Sequence, residues 1–575
     1  MTPEIKNCQN CKKDFTIEID DFSFYEKIKV PPPTWCSTCR FLRRAVFRNE
    51  RKLFRTINAV TEKPTLSIYP AESGYTIYDD NYWGSDNWDP FSYGRDFDRS
   101  RPFLAQLFEL NQEIPHPRVS TLNMIRSEYS ANAVDLKDCY LLFNSNNSEN
   151  SAYGNGIDFS NNCFDTSHIK QSERCYESFW LTKCYETFFS SQCENCVSVW
   201  FSKNCQGCTN CFGCVNLVNQ SYCYFNKQLS KEEYLLTIKE LELEKFSNLE
   251  KIQKESREFW LKFPVKYFTG MKNVFSSGEY ITHSKNVRKS FLVREGEDLK
   301  YVQYSQVGYL RDVMDVTVVA KSEIVYESSI SGWDSAQLKF CWECWDGGID
   351  FEYSMFCGRG ASHIFGSVAI SSGEYIILNK RYSKENFFKL RDEIKQHMNE
   401  MPYIDNQGRV YKYGEFFPPE FSPFAYNDTI APEHFPFSKE EILSFGAKWY
   451  EVPKGEYGTT IGARELPDNI DDVKSDLLEE VISCADCKRG YRIISFELDF
   501  LKNHKIPIPR YCVDCRYKKR ISQRNKNIFY NRSCMCTNEE HFHGVNKCQI
   551  EFETSYSPER PEIVYCESCY QKEVY

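Results

Sequence analysis

Cys139, Ser151, Cys163 and Cys175 stand at a constant spacing of 12, and intervals of 9 or 12 continue through Cys184, Cys193, Cys205, Cys214 and Cys223. Most are flanked by Tyr, Phe or Val, with Asn, Ser and Gly in between. A unit this short cannot bury a hydrophobic face alone, but stacked copies bury one against the next. Short aromatic or β-branched strands between Asn/Ser/Gly turns at fixed intervals therefore predict a β-solenoid. A unit of this length fits one narrow coil or half of a wider one, and the periodicity does not choose. A second block is marked by Tyr301, Val313, Val325, Leu338, Phe351, Ile364 and Ile376, at spacings of 12 or 13. Its end repeats the end of the first at an offset of 153: Phe212–Val215 meets Phe365–Val368, and Tyr222, Asn226 and Ser230 meet Tyr375, Asn379 and Ser383. Ser230 and Ser383 can each cap a following helix, with Glu233 completing a capping box in the first, and these helices should end near Pro264 and Pro402.

A different duplication joins the two ends. Cys8-x2-Cys11 and Cys36-x2-Cys39 recur as Cys484-x2-Cys487 and Cys512-x2-Cys515, and 512 − 36 = 476 holds for all four. At that offset Lys12 meets Lys488, Trp35 meets Tyr511, and Arg40, Arg44, Arg48 and Asn49 meet Arg516, Arg520, Arg524 and Asn525. Two Cys-x2-Cys turns supply the four convergent thiolates of a closed tetrahedral zinc site, with no position left for a water nucleophile. Free thiols and an iron site are the alternatives for the same residues. The run from Arg40 to Ile57 lacks Gly and Pro and predicts a helix, so that knuckle, hairpin and helix resemble a treble-clef or zinc-ribbon finger. On that helix Arg40, Arg44, Arg48, Arg51 and Arg55 would share one face. With Arg516, Arg520 and Arg524 this stripe suits the phosphates of RNA or DNA, or else is an ordinary solvated face.

The C-terminal copy continues with Cys534, Cys536, Cys548 and Cys566-x2-Cys569. A third zinc is expected on Cys536, Cys548, Cys566 and Cys569, with Cys534 as the substitute. His541 and His543, in the loop between, read as surface histidines. Aligning Tyr69 and Tyr78 with Tyr556 and Tyr565 puts Asp79 and Tyr82 in the places of Cys566 and Cys569, while Asn58 and Val60 replace Cys534 and Cys536, so the N-terminal copy lacks the whole site. The run Cys205, Cys208, Cys211 and Cys214 also invites a metal. At the offset of 153, however, its counterparts are Gly358, Ala361, Ile364 and Ser367, which favours buried core thiols over ligands.

The 27 cysteines would suggest disulfides in a secreted chain, but the first twenty residues carry seven charged side chains and no later stretch approaches the roughly 18 apolar residues of a membrane span. A cytoplasmic protein is expected. Residues 1–60 carry +5 and residues 484–536 carry +9, which leaves −10 − 14 = −24 for the remainder. Basic ends on an acidic body accompany polyanion binding, or simply neutralise the body.

The expected fold class is multidomain and mainly β: two β-solenoid blocks, each followed by a helix, flanked by treble-clef or zinc-ribbon modules. The segments are a zinc module (1–60), a degenerate second finger and connector (61–127), solenoid I (128–229), a helix (230–263), solenoid II (264–382), a helix (383–401), a Pro/aromatic connector (402–483) and the duplicated module with two sites (484–575). The connector carries Pro418, Pro419, Pro423, Pro432, Pro436 and Pro453, and a helix capped by Ser438 and Glu441.

The finger Cys8 to Cys39, the Phe-Gly-Cys-Val block from Phe212, Ser-Pro-Phe-Ala-Tyr-Asn from Ser422 and Glu-Ile-Val-Tyr-Cys-Glu-Ser-Cys-Tyr from Glu562 resemble uncharacterised large cysteine-rich proteins with zinc-ribbon ends from uncultivated small-genome bacteria. The resemblance implies zinc binding and a bacterial cytoplasm. It also implies that a second N-terminal finger has lost its zinc at Asn58, Val60, Asp79 and Tyr82. The leading functional expectation is a non-enzymatic, zinc-stapled scaffold that binds RNA or DNA, or otherwise a protein, through its ends and has no membrane partner. A solenoid enzyme acting on polysaccharide, and a metal-storage or redox protein, are the alternatives.

Overall fold

The computed structural model describes residues 2–305, 307–451 and 458–574. Two compact units are present, and neither is contiguous in sequence. One comprises Met1–Ser120, Phe268–Glu451 and Lys526–Phe529, the other Thr121–Tyr267, Val452–Asn525 and Tyr530–Tyr575. The molecule is mainly β, and each unit combines one solenoid with one cysteine-rich terminal module. Solenoid I is thus united with the C-terminal module, and solenoid II with the N-terminal one.

In solenoid I the parallel register settles the coil size. Thr121 pairs with Ala133, Asn146 with Asp158, Asn155 with Ser167, Tyr185 with Val197 and Val197 with Thr209, always at the sequence spacing of the repeat. One coil is therefore one repeat unit, the narrow form. Within it lies a finer period of three: Asn132, Asp135, Asp138, Leu141, Asn144, Asn147 and Asn150 all have positive φ, between 49° and 55°. A left-handed corner every third residue gives four three-residue sides per coil. The residue after each corner points inward. The core cluster of Ala133, Leu136, Cys139, Leu142, Ile157, Cys163 and their successors to Cys223 consists wholly of residues separated by multiples of three.

A non-glycine residue in the left-handed region costs about 1 kcal/mol, least for Asn and Asp, and the coils offset this with hydrogen bonds. Corner amides bond the preceding coil, as Gln171 N does to Asp158 O at 2.9 Å. Inward serines complete the ladder: Ser151 Oγ donates to Glu149 O and accepts from Cys163 N, and Ser160 Oγ likewise serves Asp158 O and Ser172 N. The last coil of each solenoid is closed by an asparagine whose side-chain amide imitates a further coil. Asn226 bonds both N–H and C=O of Val215, and Asn379 does the same for Val368. This covers an otherwise open edge.

Solenoid II uses the same construction with longer strands and occasional extra residues. Leu299 pairs with Val313, Val313 with Val325, Val325 with Leu338, Leu338 with Phe351, Phe351 with Ile364 and Ile364 with Ile376. The inward series agrees with the expected one except at its start. Leu299, not Tyr301, holds that place, because the coil from Leu299 to Val313 is the longest of the series.

Two helix expectations need correction. The run after Cys36 is helical only over Ser37–Ala45, while Phe54–Ile57 is a strand paired antiparallel with Pro64–Ser67. Asn49 diverts the chain, accepting from Lys52 N and donating to Ile68 O. Arg48, Arg51 and Arg55 therefore lie off the helix. The segment after Ser230 forms two helices, Lys231–Glu240 and Phe246–Trp260, while Lys384–Glu400 is single. The capping boxes at Ser230/Glu233 and Ser438/Glu441 form. Pro453 lies outside the described residues.

Candidate metal centres

In the N-terminal module the strands Glu4–Asn7 and Asp14–Ile17 form a hairpin whose turn carries Cys8 and Cys11. The turn closes through Lys12, at φ 60°, whose N–H donates to Cys8 O. Cys36 is the N-cap of helix Ser37–Ala45, which places its sulfur at the positive end of the helix dipole, and its own N–H donates to Cys8 Sγ at 3.2 Å. The four sulfurs of Cys8, Cys11, Cys36 and Cys39 lie within 4.8 Å of one another, the geometry of a four-ligand metal site. Hydrogen bonds from the Cys36 and Cys39 thiols hold Cys8 far below the ordinary thiol range, while Cys36 is pushed up to about 12. A cation bound by the four sulfurs would take the place of the thiol protons.

The C-terminal copy repeats this. Lys488 has φ 64°, Cys512 N donates to Cys484 Sγ at 3.2 Å, and Cys512 caps helix Val513–Ile521. Cys484, Cys487, Cys512 and Cys515 again converge within 4.8 Å. Burial opposes ionisation of Cys484, but N–H groups of Cys512, Cys487 and Asp486 outweigh it and bring the thiol down to about 7.

The third site corrects the expected ligand set. Cys534, not Cys536, converges with Cys548, Cys566 and Cys569. Cys566 N donates to Cys534 Sγ at 3.2 Å, the bond that Cys36 and Cys512 make in the other two clusters. Cys536 turns instead to His541 and His543, and with Cys569 these form a fourth convergent group. The two histidines are therefore not free surface side chains: His541 is 6% exposed and its Nδ1 lies 3.2 Å from Cys536 Sγ. In the N-terminal copy the equivalent hairpin survives without donors. Asn58 Oδ1 accepts from Val60 N and Thr61 N, and Asp79 caps Asp80–Trp83, so side-chain oxygens take over the turn and the helix cap.

The arginine stripe is the largest correction. Arg40, Arg44 and Arg48 are at most 3% exposed, and Arg516, Arg520 and Arg524 at most 7%. Arg51 is half-buried. In the first unit Arg40 Nη2 reaches Asp315 Oδ2 at 2.7 Å, Arg44 Nη1 reaches Glu327 Oε1 at 2.7 Å, and Arg43 bridges Glu327 and Glu415 at 2.5 and 2.9 Å. Arg48 faces Glu343 at 3.9 Å. In the second unit Arg516 Nη1 meets Asp165 Oδ2 at 2.7 Å and Glu497 Oε1 at 3.0 Å, and Arg520 Nη1 meets Glu177 Oε2 at 3.3 Å. The aspartates and Glu327 and Glu177 sit on solenoid corners one coil apart, and 315 − 165 equals 327 − 177. Their shared offset of 150 and spacing of 12 are a signal in the sequence for partners of Arg40 and Arg44. An aromatic ladder beside them receives the rest of the module, with Phe500 4.5 Å from Phe164 and 6.0 Å from Tyr176 between ring centres. Arg40, Arg44, Arg516 and Arg520 are thus a clamp onto the solenoid rather than a solvated face, while Arg55 is exposed.

Cys205, Cys208, Cys211 and Cys214 are the four inward residues of one coil and are wholly buried. Each thiol donates to the carbonyl two residues back, and Cys208, Cys211 and Cys214 also to the one nine residues on, as inward serines such as Ser148 do. Burial raises the Cys139 thiol to about 11. In the acidic stretch from Asp346 to Glu352, buried Glu352 is held by Lys339 and Lys395 at 3.0 and 2.8 Å and Asp350 by Arg391 at 3.2 Å, while Asp346 is exposed. A cleft of about 960 Å³ lies against solenoid I; of the carboxylates that line it, Asp138 and Glu186 are engaged by Arg126 and Arg174, and Glu128 and Asp499 line it too. Among the described residues no helix is long and apolar enough to cross a membrane.

No family model matches the chain, and no curated protein does. Among solved structures, one similar chain is described as a "putative acetyltransferase" from Desulfovibrio desulfuricans G20. It is 8% identical over 51% of this chain and 86% of that one, and its TM-score of 0.11 carries no argument about fold or activity.

Proposed function

We propose that the protein is a non-enzymatic scaffold in which zinc holds treble-clef modules in shape and each module staples its arginine helix to a β-solenoid. The observation that carries this reading is the repeated clamp. In both units the helix that begins at the third cysteine of a four-cysteine cluster delivers its arginines to buried solenoid carboxylates. A closed set of four thiolates suits a structural ion. Cysteines that converge as ligands or fill a core as thiols suit a reducing cytoplasm. A protein is the partner class this reading favours, since Arg40, Arg44, Arg48, Arg516, Arg520 and Arg524, which pointed to RNA or DNA, are buried.

Elemental analysis together with hydrogen exchange tests it. Zinc should be bound, and its removal by a chelator should expose the amides of Ser37–Ala45 and Val513–Ile521. Fewer than two zinc ions per chain, or unchanged protection of both helices after chelation, would overturn the staple.

A further inference from the structure

We infer that the two donor groups that share Cys569 form one binuclear centre, with its thiolate bridging two ions. The nature of the metal rests on the zinc reading above; the bridge rests on geometry. Two separate tetrahedral sites need eight donors, and these two groups bring together seven. Cys534, Cys548 and Cys566 converge on Cys569 from one side, and Cys536, His541 and His543 from the other, each set within 4.8 Å. One shared thiolate supplies the missing donor. Two donors at about 2.0–2.3 Å from one tetrahedral ion lie roughly 3.5 Å apart, and Cys536 Sγ stands 3.2 Å from His541 Nδ1 and 3.3 Å from His543 Nε2.

The histidines are oriented for the task. His541 Nε2 lies 3.3 Å from Glu573 Oε2, and His543 Nδ1 lies 2.5 Å from Asn546 O. The Glu573 carboxylate at His541 Nε2, where the Asn538 amide nitrogen also lies at 3.3 Å, and the Asn546 carbonyl at His543 Nδ1 are acceptors that fix a proton on each outer nitrogen and leave the inner lone pair for an ion, the usual outer-shell arrangement of a metal-bound histidine. A set of two thiolates and two imidazoles is a donor set that zinc accepts.

Charge favours the same result. All five cysteines are at most 2% exposed. One divalent ion on four thiolates leaves 2 − 4 = −2, whereas two ions on five thiolates leave 4 − 5 = −1. A second ion therefore lowers the charge buried in the module, and burying charge is costly. The loop that makes this possible is an insertion. The strands Tyr530–Ser533 and Glu551–Thr554 are joined by the long segment 534–550, whereas their N-terminal counterparts Phe54–Ile57 and Pro64–Ser67 are joined by the short segment 58–63. The longer loop carries Cys534, Cys536, His541, His543 and Cys548.

Full-length protein purified in excess zinc should contain four ions per chain, two in the paired-cysteine clusters and two here. The double variant His541→Ala/His543→Ala should contain three. In the cobalt(II)-substituted wild type, exchange through the thiolate bridge should reduce the paramagnetic resonance signal per cobalt below that of the double variant. The wild-type stoichiometry does not depend on whether the variant folds. Three ions in both proteins would overturn the binuclear centre and leave the zinc reading intact. Fewer than two in the wild type would overturn the zinc reading itself. Four ions with magnetically independent cobalts would remove the bridge.

Discussion

At the scale of single residues, serine and cysteine exchange because the solenoid asks the same thing of both. Where either stands, the inward side chain is small, and its polar atom reaches carbonyls of its own coil and the N–H of a neighbouring one. Asn226 N donates to Cys214 Sγ at 3.4 Å, and at the equivalent place Asn379 N donates to Ser367 Oγ at 3.2 Å. Cys214→Ser should therefore shift stability by less than about 1 kcal/mol. Cys214→Val, similar in size but without the polar atom, should cost more, up to about 1–3 kcal/mol, since it takes the acceptor from the part-buried Asn226 N–H; denaturant midpoints measure both. The match of Cys214 to Ser367 makes this role legible in the sequence, but the spacings of 9 and 12 hide the period of three beneath them. Charge at a buried corner behaves differently. Burial raises the Glu343 carboxyl to about 7, with Arg48 only partly opposing it. Between about 4.5 and 7 the unfolded chain releases this proton while the folded one keeps it, so stability should fall as pH rises through that window. Glu343→Gln should flatten that part of the stability profile, and an unchanged slope would show that Glu343 does not titrate there.

At the scale of elements, what is legible follows local rules and what is hidden depends on partners. Ser230, Ser383 and Ser438 announce their helices because capping is decided within a single turn. The helix after Cys36 reads too long in the sequence because nothing local stops it before Asn49, whose side chain bonds the distant Ile68 O. The arginine face is legible as a face, but its destination requires knowing that Asp165 and Glu177, or Asp315 and Glu327, line up on successive coils. His541 and His543 escape a reading of the sequence because ligand pairing at that spacing depends on a loop that only the fold closes. The clamp itself is testable. Arg516→Ala takes from buried Glu497 its cation and from buried Asp165 its nearer one, Arg520 remaining at 3.7 Å, and should destabilise its unit by about 3–5 kcal/mol. That loss should persist at high salt, since buried pairs are screened far less than surface ones. A cost below about 1 kcal/mol, or one abolished by salt, would class the contact with ordinary surface pairs. Reversal of Arg516, Arg520 and Arg524 to Glu should accordingly unfold the docking of the module rather than remove a nucleic-acid contact.

At the scale of the whole molecule, the chain is two copies of one design whose parts are dealt out of order. The N-terminal module belongs with solenoid II and the C-terminal module with solenoid I, and this follows from the clamps: Arg40 and Arg44 find Asp315 and Glu327, while Arg516 and Arg520 find Asp165 and Glu177. Sequence order suggests the opposite pairing, because the N-terminal module directly precedes solenoid I. A change in one module should therefore be felt far along the chain. Cys36→Ser removes a candidate metal ligand but leaves a residue able to cap Ser37–Ala45, so it is loss of the ion that should detach the helix from the strands Leu310–Val319 and Ser322–Ser331 on which it packs. Loss of a structural ion removes up to roughly 10–16 kcal/mol of folding free energy from a small finger, enough to undo a docked helix. Hydrogen exchange read peptide by peptide should show faster exchange around 310–331, remote in sequence from the substitution, and no change around 165–177. Cys512→Ser should give the mirror result, with 165–177 loosened and 310–331 unchanged. Loosening of the solenoid adjacent in sequence instead, in either variant, would contradict the pairing of modules with solenoids and with it the account of the arginines as internal clamps.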